Sequence, residues 1–134
     1  MTTIAEARDS LAGAISQGTS LRALPYLAST IPHPCAFVRL GDYDPRMVLG
    51  KSKATFPFRV TVFLGPASER SVQQRCDVLR EPSGTGSIVA TIEDSTLWAA
   101  TVDYAAVTLV GEPGEVIVAE EALMMFEVSV EVVF

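Results

Sequence analysis

Acid–base and metal chemistry in proteins most often starts from histidine. This chain of 134 residues has one, His33, held between Pro32 and Pro34. A Ser-His-Asp triad would have to use it, yet no serine stands in the strand–turn–helix setting that exposes a nucleophile. His33 therefore reads as a loop histidine with ordinary hydrogen bonds. Zinc needs Cys and His ligands in closely spaced pairs, whereas Cys35 and Cys76 stand alone and far apart in the sequence. Cys76 falls on the apolar stripe of an expected helix and Cys35 at a strand entry between Pro34 and Ala36, so both read as small core residues.

Other constellations are equally sparse. Gly84-Thr85-Gly86 hints at a phosphate loop, but neither Gly-x-x-x-x-Gly-Lys-Ser/Thr nor Gly-x-Gly-x-x-Gly is completed. Glu127 and Glu131 share one face of an expected strand, a spacing that paired glycosidase acids can use but that on an exposed face gives solvated charges. Asp42 and Asp44 lack the further acidic ligands of a calcium loop. Trp98 and the three tyrosines are too scattered for a base-stacking platform. The expectation is a protein with no catalytic residues, no cofactor and no metal.

Charge is distributed more tellingly than its sum of −6. All ten Lys and Arg residues lie at or before Arg80, against six acidic residues there; from Glu81 onward there are ten acidic residues and no Lys or Arg. Such asymmetry points to interaction surfaces, and the acidic half argues against a sequence-specific DNA reader. Hydrophobic residues make up 49% and charged ones 19%, against a usual charged share of about 25%. A well-filled core accounts for part of that excess; surface buried against partners accounts for it better. No apolar run is long enough to span a membrane, and the N-terminus Met-Thr-Thr-Ile-Ala-Glu lacks the features of a signal peptide. The expected compartment is a cytoplasm, with both thiols reduced.

The elements follow from periodicity. Residues 3–16 read as an amphipathic helix capped by Thr2 or Thr3, with Ile4, Ala7, Leu11, Ala14 and Ile15 inward and Gly18 as its C-terminal cap. Residues 21–28, interrupted by Pro25, fit an edge strand or an extended loop. Cys35 to Leu40 reads as a strand and residues 46–53, polar and basic, as a long exposed loop or hairpin tip. From Ala54 to Leu64, Phe56, Phe58, Val60, Val62 and Leu64 alternate with a more polar set, the clearest strand signal in the chain. A helix capped by Ser68 runs to Arg80 with Val72, Cys76 and Leu79 inward, and a short one spans Ser87 to Asp94. Leu97 and Trp98 are expected over the core. Val102, Tyr104 and Ala106 share one strand face and Val107 and Leu109 the other, with a soft alternation that allows a bulge. Gly111-Glu112-Pro113-Gly114 is a turn, Glu115 to Ala119 a short strand, and Leu123 to Phe134 a long one with Phe126, Val128, Val130, Val132 and Phe134 on one face. The expected fold is one α+β domain over residues 1–134, in the order α-β-β-α-α-β-β-β, with helices on one face of a largely antiparallel sheet.

Several segments together resemble the tail terminator (tail completion) proteins of long-tailed actinobacterial phages. They are the opening Met-Thr-Thr-Ile-Ala-Glu-Ala-Arg-Asp-Ser-Leu helix, the Pro34-Cys35-Ala36 strand entry and the strand Phe56-Pro57-Phe58-Arg59-Val60-Thr61-Val62-Phe63-Leu64-Gly65. Ala67-Ser68-Glu69-Arg70-Ser71, the Pro82-Ser83-Gly84 loop and the final Phe126-Glu127-Val128-Ser129-Val130-Glu131-Val132 strand complete the pattern. The resemblance implies a virion protein at the tail–neck junction, assembled in the host cytoplasm. It implies a ring, usually of six subunits, that caps the tail tube, ends its polymerisation and joins it to the head-side connector. Genomic DNA would pass through without sequence-specific binding. The expected partners are other copies of the chain, the tail tube protein and the head–tail connector protein, with no membrane. Beside that picture, Arg46, Lys51, Lys53 and Arg70 are candidates to meet the acidic strands of the next subunit. Glu112, Glu115, Glu120 and Glu127 are candidates to line the bore and repel phosphate. The alternatives are a head–tail connector or other neck protein, and a small cytoplasmic binding domain.

Overall fold

The computed structural model describes residues 3–19, 21–26, 34–43, 45, 55–94 and 104–134. His33, Asp44, the basic stretch 46–53, Leu97, Trp98 and Val102 lie outside the described residues.

Helix α1 (Ile4–Gly18) starts where the Thr3 hydroxyl accepts the Glu6 N–H at 3.2 Å, and it buries Ala7, Leu11, Ala12, Ala14 and Ile15. Strand β1 (Arg22–Leu24) is short and pairs parallel with β2 (Cys35–Leu40). Strand β3 (Thr55–Pro66) pairs antiparallel with β2 on one side and with β6 (Glu121–Val133) on the other. Helices α2 (Arg70–Arg80) and α3 (Ile88–Glu93) lie between β3 and the last three strands. Strands β4 (Tyr104–Val110) and β5 (Gly114–Val118) both pair antiparallel with β6, one after the other along the same side. The expected α+β class and element order hold, with Arg22–Leu24 contributing an edge strand. Across the sheet the order is β1-β2-β3-β6-β4, with β5 on β6 as well.

The three helices given above pack on one face of the sheet. Leu11 and Ile15 of α1, Cys76 and Leu79 of α2 and Ile88 and Ile92 of α3 join Val38, Phe58, Val60, Val62, Phe126, Val128 and Val130 in one core. The strand alternation that signals β3 and β6 is the pattern such a one-sided burial selects. On the other face the strands carry Arg39, Arg59, Glu127, Ser129 and Glu131 toward the middle. At one end a smaller cluster of Cys35, Phe37 and Phe63 is packed by Leu24, Val116, Val118 and Met125. Phe37 and Phe63 meet edge to face at 5.8 Å.

Three local readings change. Gly18 does not adopt a left-handed C-cap: Thr19 is the extended C-cap, its N–H donating to the Ile15 carbonyl. Glycine is required at 18 because a Cβ there would meet Thr91 of α3 at 2.3 Å. Glu69, not Ser68, occupies the N-cap of α2, since a turn donating the Glu69 N–H to the Pro66 carbonyl at 3.1 Å delays the helix. Val107 and Leu109 part company: a bulge between them sends Val107 to the core and leaves Leu109 64% exposed.

Candidate subunit interface

Among the described residues no group of three or more His, Cys, Asp or Glu side chains is placed to hold a metal ion. Cys35 and Cys76 are buried free thiols. Burial pushes the Cys35 thiol up to about 11, against a lesser opposing pull from Arg22, and burial likewise raises Cys76. A thiol so held is a poor nucleophile. An open cleft of about 390 Å³ lies between the end of β3 and the start of α2, lined by Leu64, Pro66, Glu69, Val72 and Arg75 among others. No helix among the described residues is long and apolar enough to cross a membrane.

The most distinctive surface is the hairpin that follows β4. Strands β4 and β5 form one interrupted strand along β6, broken by Gly111-Glu112-Pro113. The Gly111 N–H donates to the Glu127 carbonyl at 2.7 Å, and a Cβ on Gly111 would lie 2.9 Å from that same oxygen. Beyond this break β5 and β6 run on to a two-residue turn, Ala119-Glu120, with φ of 50° and 67°. Both residues thus sit in the left-handed region, as a type I′ hairpin turn requires. Neither is Gly, Asn or Asp, so the turn is held at a cost.

Register fixes where the backbone groups of the hairpin point. Residues flanking a two-residue turn exchange both hydrogen bonds, so Val118, and by the period of two Val116, turn N–H and C=O toward β6. Glu115 and Ile117 turn theirs away from the sheet. The same alternation sends the Ala122 carbonyl away from β5, where it accepts the Ala67 N–H at 3.1 Å. Other stretches of sheet edge are partly closed. On β4 the Glu93 carboxylate accepts the outward Val107 N–H at 3.1 Å. On β1 the Ser16 hydroxyl accepts the Ala23 N–H at 3.1 Å. Along β5 no group among the described residues does the same. Ile117 is 76% exposed, with Leu109 and Tyr104 also exposed on β4.

The acidic candidates divide between two places. Glu112 stands in the β4–β5 break, Glu115 on β5 and Glu120 at the hairpin tip, all exposed. Glu127 belongs to the open sheet face, where the Arg39 guanidinium donates to its carboxylate at 3.1 Å. Sequence reasoning missed Arg39 as a partner because 88 residues separate the two. Of the basic candidates, Arg70 is the exposed first residue of α2; Arg46, Lys51 and Lys53 fall outside the described residues. Thr61, only 7% exposed on β3, buries a hydroxyl without a hydrogen-bond partner. No protein-family model and no curated protein matches the chain.

Proposed function

We propose that this chain is a ring-forming virion subunit, a tail terminator that caps the tail tube, ends tube growth and joins the tail to the head-side connector without catalysing a reaction. The observation that carries the reading is the edge hairpin. It combines exposed apolar side chains, outward backbone groups and four glutamates in residues 112–121 with no Lys or Arg, while every basic residue lies in the first eighty. Two unlike, complementary patches on one chain are what head-to-tail closure into a ring needs. In this reading Glu112, Glu115 and Glu120 face a neighbouring subunit's basic residues. Glu127, with Glu131 on the same open sheet face, is the better placed to line a bore through which DNA slides without sequence-specific contact. The protein then acts in the virion, at the tail–neck junction.

Incubation of the purified protein with tail tubes and, separately, with portal or head complexes tests the assignment. Binding confined to tube ends, with arrest of further elongation, supports a terminator. Binding to portal or head complexes alone replaces it with a connector of the neck.

A further inference from the structure

We propose that opposite edges of the sheet join one copy of this chain to the next: the acidic β4–β5 edge of one docks on the β1 edge of its neighbour, Glu112 and Glu115 against Arg22 and Leu109 against Tyr26. The inference rests on the ring reading above and specifies which surfaces meet. Among the described residues the sheet ends in β1 on one side and in β4 and β5 on the other. Arg22, Cys35, Phe63, Met125 and Gly114 are successive partners straight across it. Arg22 and Gly114 thus hold the two ends of one row, and Glu112 and Glu115 stand beside Gly114. Arg22, Glu112 and Glu115 are all exposed. Among the described residues none of the three is held in an ion pair.

The apolar members match at the same height. By the pairing across the sheet, β1 and β6 run the same way. Four residues on from Met125 is Ser129, whose partner Leu109 is 64% exposed on the β4 edge. Four residues on from Arg22, just past the end of β1, is Tyr26, 54% exposed. The Arg8 guanidinium lies over the Tyr26 ring, 4.5 Å from its centroid, and sets a second cation beside this edge. The Ser16 hydroxyl already takes the outward Ala23 N–H, so the two edges meet through side chains and not by adding a strand. Opposite charges select the pairing, since two acidic or two basic edges would repel each other. The contact is therefore heterologous and passes from copy to copy. It leaves Glu127 and Glu131, on the interior strand β6, uncovered.

Charge exchange in the full chain tests this. One variant carries Glu112→Lys and Glu115→Lys, the other Arg22→Glu. Circular dichroism checks that both fold, and light scattering follows assembly alone and on tail tube ends. Each variant by itself should assemble at least about tenfold more weakly, and an equimolar mixture should recover assembly, because every junction in an alternating ring is again opposite in sign. Arg22→Gln, a milder change, should weaken assembly less and reduce its salt dependence. If the variants assemble like wild type, if the mixture fails to recover, or if Arg22→Gln leaves the salt dependence unchanged, the edge-to-edge contact is wrong while the ring stands. If the wild-type chain never assembles, alone or on tubes, the ring reading fails and this inference with it.

Discussion

Gly18→Ala and Gly13→Ala place the same methyl group in the same helix and should move stability in opposite directions. A Cβ at Gly18 would lie 2.3 Å from Thr91 Cγ2, 2.6 Å from its Oγ1 and 2.9 Å from its Cβ, all closer than real Cβ contacts come. Thr91 is 6% exposed on α3, and its branched side chain has little rotamer freedom in a helix. Relief therefore requires α1 and α3 to move apart. Overpacking of this kind costs about 1–3 kcal/mol. The gain in helix propensity is about 1 kcal/mol at most, and less at the final helical residue. The net expectation is a loss of about 1–2 kcal/mol, or a fall in Tm on the order of 5 °C for a domain this size. At Gly13 nothing lies within 4 Å of the added Cβ. Propensity then acts alone, for a gain of about 0.5–1 kcal/mol. Urea unfolding followed by circular dichroism reads both, and Thr91→Ala in the Gly18→Ala background should return about 1 kcal/mol of coupling. Equal stabilisation by the two alanines would refute the close α1–α3 approach.

Thr61→Val should raise stability by about 1 kcal/mol in the same urea assay, because it removes a buried hydroxyl that has no partner and keeps the branched shape. Replacing Ala119-Glu120 by Asn-Gly should stabilise the hairpin by about 1 kcal/mol or more, since both positions need positive φ; unchanged stability would show the turn is unstrained. Arg39→Ala should cost less than about 1 kcal/mol, its ion pair with Glu127 being 49% and 38% exposed, and the loss should shrink further in high salt. Cys35 contributes to pH dependence: its folded pKa, about 11, lies above the ordinary 9.0. Stability is thus full below pH 9 and falls as pH rises toward 11, because only the unfolded chain ionises there. Denaturation midpoints at pH 8 and pH 10.5 measure the fall, and Cys35→Ala should flatten it.

What could be read in advance was whatever one strand or helix decides for itself. Phe56 to Leu64 and Phe126 to Val132 announce their strands because a sheet covered on one face demands alternation, and Thr3 announces α1 because a cap acts within four residues. What escaped depends on partners remote in sequence. Gly18 looked like a helix stop, and only the approach of α3 shows it to be a packing glycine. The soft alternation after Tyr104 allowed a bulge but not its position, which β6 fixes by pairing Val107 with Val130 and Leu109 with Ser129. The four acidic candidates looked alike as exposed glutamates. Their division into three on the hairpin and one paired with Arg39 comes from sheet order, which local pattern does not encode. The open edge of β5 was invisible for the same reason, since it exists only because β4 and β5 share one side of β6.

The decisive measurement is the mass and shape of the purified chain, by light scattering with negative-stain imaging, alone and mixed with polymerising tail tube protein. The ring reading predicts closed rings, or monomers that become rings at tube ends and halt growth there. A monodisperse monomer or dimer that leaves tube elongation unchanged would contradict it.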